Sequence, residues 1–146
     1  MFQQRESYKH LYSKKVIAQW ITEKLPTGKY FIFDWVNGQI REEYPIWSRK
    51  QNDQTDYFGI NPVWETLPEH DQMISRGFNL EAVIDLVIID RERIKYGIEV
   101  VHTHPTPTSK CELLSNLGIT CYEVSADWVM NQIRRPAVMV MHKITN

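Results

Sequence analysis

Two short runs, AVIDLVIID at 82–90 and IKYGIEVVHT at 94–103, constrain this chain more than any other part of it. Both are almost continuously apolar, β-branched and of strand length. Arg91-Glu92-Arg93 leaves room only for a tight connection, so the two are expected to pair as an antiparallel hairpin. Each run is interrupted by one carboxylate, Asp85 in the first and Glu99 in the second. An ionised carboxylate in an otherwise apolar strand is costly to bury unless a cation or hydrogen bonds compensate it. Two carboxylates facing each other across a hairpin also repel, and a divalent cation between them relieves that. Hard oxygen ligands suit Mg²⁺ or Mn²⁺. The competing reading is that both side chains point to the solvent face of a half-exposed sheet.

The rest of the chain supplies elements around that hairpin. Over 6–24, Tyr8, Leu11, Tyr12, Val16, Ile17, Trp20, Ile21 and Leu25 recur at helical spacing, with Ser7 near the N-terminal cap and Pro26-Thr27-Gly28 as the stop. Residues 29–36 read as a strand, Asn37-Gly38 as a two-residue hairpin turn and 39–47 as the returning strand. The polar stretch 48–61 reads as a loop and the most mobile segment. A short helix is expected from Glu69 to Ser75, ended by Gly77. After the carboxylate hairpin come a helix over 107–117 ending at Gly118, a strand over 119–124, a short helix over 127–133 and a last strand over 136–144. Pro136 puts that last strand at a sheet edge. This order makes a mixed α/β domain around one sheet: a single domain over 1–146, with a variable loop and helix insertion at about 48–80. Trp20 and Trp35 read as core, while Trp47, Trp64 and Trp128 stay open between core and base stacking.

The 146 residues, 42% hydrophobic and 24% charged, describe an ordinary globular chain, not a disordered one. A net charge of −1 excludes the strongly basic balance of a protein that coats DNA. A local basic rim from Lys14-Lys15, Arg49-Lys50, Arg91, Arg93, Lys95 and Arg134-Arg135 is compatible with that sum, as is a scatter of solvated side chains. No apolar signal-peptide core follows the start and no run is long enough to cross a membrane, so a cytoplasmic protein is expected. Cys111 and Cys121 are expected to be reduced thiols, since neither a disulfide framework nor a zinc-site spacing accompanies them.

Asp85-(x13)-Glu99-Val100-Val101 resembles the D-x(n)-E-x-K signature of the PD-(D/E)XK nuclease-like superfamily. The longer segment IEVVHTHPTPTSKCELLSNLGITCYEV resembles competence-protein CoiA-like nuclease domains through Glu99, Thr103-His104, Lys110 and Gly118-Ile119…Tyr122-Glu123-Val124. The stretch ESYKHLYSKKVIAQW is similar to their opening helix, through Glu6, Ser7, His10 and Lys14. The resemblance implies an α/β, restriction-endonuclease-like core: a mixed central sheet flanked by helices, in the order α-β-β-β-α-β. It implies a metal-dependent nuclease acting on nucleic acid, DNA before RNA. Mg²⁺ or Mn²⁺ would be held by Asp85, Glu99 and the backbone carbonyl of Val100.

The chain departs from the signature at Val101, which stands where the superfamily carries lysine. That lysine stabilises charge growing on the phosphate oxygens. Lys110, where the following helix begins, is the first choice to replace it. His104 and His102 are others, since histidine also relays protons near neutral pH. Strand alternation from Glu99 puts Thr103 on its face and His102 on the other, and leaves His104 open. His10 and Lys14, with Ser7 and Glu6 nearby, form a helix face that either leans over the site or meets solvent. Glu43 or Glu65 would supply an additional carboxylate.

Two rival readings use the same residues. His102-Thr103-His104-Pro105 also resembles the H-[ST]-H-P of a JAMM-like zinc metalloprotease, although Ser109 follows too soon and Glu112 stands for the expected aspartate. The other rival is a catalytically degenerate nuclease-fold module that binds nucleic acid or protein. A homodimer is left open.

Overall fold

β-branched residues crowd the middle of the chain because they pack well on a pleated surface, and the sheet they build is covered from both sides. The computed structural model describes residues 7–23, 39–58, 73–74, 76–91 and 93–146. Among these, three helices, α1 (Tyr8–Thr22), α2 (Thr108–Asn116) and α3 (Ala126–Met130), accompany six strands. The strands are β1 (Gln39–Gln51), β2 (Gln54–Phe58), β3 (Asn79–Asp90), β4 (Arg93–Val101), β5 (Thr120–Ser125) and β6 (His142–Lys143). They form one open mixed sheet in the order β2-β1-β3-β4-β5-β6. All neighbours are antiparallel except β4 and β5, which run parallel because α2 carries the chain back between them. The α/β class therefore holds, with a longer run of strands before α2 than the expected order of three.

Helix α1 is capped by Ser7, whose Oγ accepts the His10 N–H at 3.2 Å. It buries Ile17, Trp20 and Ile21 against Leu86 and Ile88 of β3 and Ile98 and Val100 of β4. On the other side, Leu114 of α2 joins Ile84, Val87 and Ile89 of β3, Tyr44 and Ile46 of β1, and Cys121 of β5. Ile84 and Leu86, two residues apart, thus belong to different clusters, so the alternation of β3 inverts at Asp85. β1 inverts at the facing position. Glu43 lies between the pairs Glu42↔Leu86 and Tyr44↔Ile84 and has a φ of 51°. A left-handed residue inside a strand is a strained conformation for a side chain of this kind. It turns Glu43 toward α1, where the buried Lys14 ammonium forms an ion pair with it.

Several expected boundaries move. The polar 48–61 stretch is no loop where it is described: β1 runs on to Gln51, and β2 returns from Gln54. Asn52 and Asp53 turn the hairpin with φ of 49° and 63°, the two positive values that a type I′ turn requires. From Arg49 to Tyr57 every residue is exposed and no apolar alternation runs along either strand, so the pattern that marks a half-buried strand is absent there. Asp53 bears a strain that glycine would not, so Asp53→Gly is expected to raise stability by about 0.5 kcal/mol in urea unfolding. A loss of stability would mean that the Asp53 side chain holds the turn.

β4 ends at Val101, so Thr103 and His104 lie beyond it in exposed bends. Only His142 and Lys143 of the expected 136–144 strand pair with β5, and the expected 127–133 helix is the five residues of α3. Trp47 is buried in the core and out of reach of bases, while the half-buried Trp128 packs edge-on against Trp20 with ring centroids 5.8 Å apart. The expected strand 29–36, its Asn37-Gly38 turn, Trp35, Trp64, Glu65, Glu6 and most of the Glu69–Ser75 helix lie outside the described residues. No helix among the described residues is long and apolar enough to cross a membrane.

Candidate functional site

β3 and β4 pair from Asp90↔Arg93 to Leu86↔Ile98, and the next step of that register sets Asp85 opposite Glu99. The ladder stops there, and the carboxylates take up the backbone donors of the opposite strand. The Asp85 N–H donates to Glu99 Oε2 at 3.1 Å, and the Val100 N–H donates to Asp85 Oδ2 at 2.8 Å. Two acidic side chains thereby replace a ladder step at a fork in the sheet.

Each carboxylate meets a basic group from a different helix. His10 of α1 sits 3.1 Å from Asp85 Oδ2 through its Nε2. An ionised carboxylate only accepts, so Nε2 carries the proton. Lys110, in the first turn of α2, forms an ion pair with Glu99 Oε1 and donates to the Val83 carbonyl at 2.5 Å. The electrostatics of the two acids separate accordingly. Burial pushes the Asp85 carboxyl up, but hydrogen bonds from His10 and the Val100 N–H outweigh it and hold it below its ordinary value. Burial and the Asp85 charge push the Glu99 carboxyl up to about 7, against the pull of Lys110. A pair whose members titrate this far apart, with one near neutrality, is a recurrent property of reacting centres.

Asp85, Glu99, Val100, His104 and Lys110, the residues singled out in the sequence, all line one open cleft of about 280 Å³. A second cleft of about 390 Å³ shares Lys110 and Pro107 with it and adds Glu81 and Ser109. His102 is turned elsewhere, its Nδ1 lying 3.6 Å from Asp127 Oδ1. Thr103 is exposed and does not extend the face of Glu99, because the strand has ended. The helix face of His10 and Lys14 divides between two tasks: His10 reaches the site, while Lys14 is buried at Glu43. Glu43 faces Asp85 across β1 and β3 and is not among the residues that line this cleft. Much of the basic rim is paired, Lys15 with Glu42 at 2.7 Å and Arg135 with Glu23 at 3.3 Å, while Arg49 lies over the Phe78 ring. Burial pushes both thiols up, so Cys111 and Cys121 stay protonated at neutral pH and are poor nucleophiles.

A further buried acid lies in the neighbourhood. Glu123 of β5 is 6% exposed and sits opposite Glu99 in the parallel register. The signal that marks Asp85 and Glu99, a lone charge in an apolar strand, marks it too.

Among the described residues, no group of three or more His, Cys, Asp or Glu side chains gathers as a ligand set. The donors that do converge are two carboxylates, hard oxygen ligands that suit Mg²⁺ or Mn²⁺ better than zinc. Their mutual repulsion, felt in the raised Glu99, is the disposition that a cation relieves. Comparison with protein-family models, with curated proteins and with solved structures returned no match.

Proposed function

We propose that this chain is a metal-dependent nuclease with a PD-(D/E)XK-like, restriction-endonuclease-like core, hydrolysing phosphodiester bonds of nucleic acid, DNA before RNA. One observation carries the reading: two carboxylates from neighbouring strands meet at an open fork, and an ammonium group from the next helix stands on one of them. Asp85, Glu99 and the Val100 carbonyl would hold Mg²⁺ or Mn²⁺. Such an ion polarises the phosphate and lowers the pKa of water bound to it.

The remaining roles fall to the chain's own side chains. Lys110 brings a positive charge to the place that Val101 leaves apolar, and it balances charge growing on the phosphate oxygens. His10 donates through Nε2 and fixes the orientation of Asp85. His104 lines the cleft with its ring exposed, placed to pass a proton between cleft and solvent. A JAMM-like zinc protease draws no support from this arrangement, because His102 lies against Asp127 while His104 lines the cleft.

The test pairs binding with turnover. Mn²⁺ is titrated by electron paramagnetic resonance, and linear, single-stranded and branched DNA and RNA are incubated with Mn²⁺, Mg²⁺ or EDTA. Saturable Mn²⁺ binding is expected, together with cleavage that EDTA abolishes. Nucleic-acid binding without cleavage would favour the degenerate module, and absence of both Mn²⁺ binding and cleavage would overturn the proposal.

A further inference from the structure

We infer that Glu123 is a positioning residue for the site: it holds the 102–107 segment as a wall of the cleft and thereby sets where α2 begins and where Lys110 stands. Its catalytic half rests on the nuclease reading; its structural half does not.

The argument starts from the loop. Between β4 and α2 the chain reads His102-Thr103-His104-Pro105-Thr106-Pro107. Proline has no N–H, so Thr106 carries the sole backbone donor of residues 105–107. Glu123 Oε2 accepts that donor at 2.6 Å. A bond of this length to an ionised acceptor is of the strong, charge-assisted kind. The other oxygen, Oε1, pairs with His142 Nε2 of β6 at 3.0 Å. Both oxygens are engaged, by the loop and by β6, and Glu123 is not among the residues that line the cleft, so it is assigned as a tether and not as a third ligand.

What the tether controls follows from the next turn of chain. Pro107 is the N-cap of α2 and offers no side-chain cap. Its carbonyl accepts the N–H of Lys110 at 3.0 Å and of Cys111 at 3.1 Å, which closes the first turn. The end of α2 that carries Lys110 is therefore fixed one residue upstream, at Thr106, from a different strand. β5 needs no acid there for its own sake: Cys121 and Val124 are buried beside it, and an apolar side chain of similar volume is the cheaper occupant of such a position.

Glu123→Met keeps the volume and removes the acceptor, while Glu123→Gln keeps a carbonyl that can accept the Thr106 N–H. Glu123→Met is expected to speed Thr106 amide exchange about 100-fold and to lower kcat about 100-fold, with Mn²⁺ affinity and KM within about 3-fold of wild type. Glu123→Gln is expected to restore both Thr106 protection and kcat to within about 3-fold. Unchanged Thr106 exchange in Glu123→Met would overturn the inference. So would loss of Mn²⁺ affinity alongside kcat, which would make Glu123 a ligand, or a Gln variant as impaired as the Met one. Should the wild type cleave nothing, the nuclease reading fails while Thr106 exchange still decides the tether. Should Glu123→Met not fold, the wild-type amide decides: Thr106 exchanging as fast as exposed Thr103 and His104 would overturn it.

Discussion

Asp85→Asn is expected to leave the fold intact and to lower cleavage by about 10³-fold, roughly 4 kcal/mol of barrier. The structural half of this expectation comes from the fork. An asparagine carbonyl still accepts the Val100 N–H that Asp85 Oδ2 accepts at 2.8 Å, and it still faces the His10 donor. No buried donor is orphaned, so the usual penalty for truncating a hydrogen-bonded group does not arise. The charge half works the other way. Asp85 is the charge that raises the Glu99 carboxyl after burial itself, so its neutralisation lets Glu99 ionise at lower pH beside Lys110. A divalent ion held as proposed would lose one of its two carboxylates, and Mn²⁺ affinity is then expected to fall by at least tenfold. Thermal unfolding, Mn²⁺ titration and the cleavage rate separate the two halves. A folded Asn variant with wild-type Mn²⁺ affinity would remove Asp85 from any metal site.

The hairpin that carries both acids was legible because two independent constraints agree on it. The apolar runs are of strand length, and Arg91-Glu92-Arg93 permits only a tight return. Helix α1 was legible for a similar reason, its apolar spacing ending in the buried Ile17, Trp20 and Ile21. What escaped is the break in phase at the site. Strict alternation assigns faces by counting from Glu99, but β3 inverts at Asp85 and β1 at Glu43, where φ is 51°. A backbone angle that no residue type announces therefore decides which acids face which helix. Lys14 illustrates the same limit from the side of chemistry. The sequence left its helix face open, either leaning over the site with His10 or meeting solvent. Only a partner decides between the two for a lysine, and that partner is Glu43, which a backbone inversion turns toward α1. Glu123 was legible by the rule that found Asp85 and Glu99; it stood near the end of a short strand, where a charge is easily taken for an exit to solvent.

Lys110→Met tests how the two bases divide the work at this fork, and its effect is expected to depend on pH. Glu99 is 3% exposed, and burial together with Asp85 pushes its carboxyl up to about 7, while Lys110 draws it down. An acid whose folded pKa lies above its unfolded value binds more protons in the folded state between the two. Stability therefore falls as pH rises from the ordinary glutamate value of 4.5 toward about 7 and is level beyond. In the wild type this window holds at most ~3.5 kcal/mol, since a pKa unit corresponds to about 1.4 kcal/mol. Asp85, held below its ordinary value, acts oppositely and in a lower range: its contribution is present above its unfolded pKa and is lost as pH falls through the folded one. Removing the Lys110 ammonium leaves Glu99 buried with only the Asp85 charge nearby, so its carboxyl rises further and the window of falling stability extends to higher pH. At pH 8, one unit above the wild-type value, the wild type has levelled off while the variant is still losing stability, so the loss is about 1.4 kcal/mol from this linkage on top of the lost hydrogen bond, ~2 kcal/mol together. At pH 5 Glu99 simply takes a proton, and the loss shrinks to ~1 kcal/mol for the hydrogen bond to the Val83 carbonyl. Urea unfolding of wild type and variant at pH 5, 6.5 and 8 reads this directly, and cleavage is expected to fall about 100-fold in parallel. An equal loss of stability at all three pH values would show that Lys110 does not govern Glu99. The cation that the proposed chemistry needs beside the phosphate would then have to come from another group than Lys110.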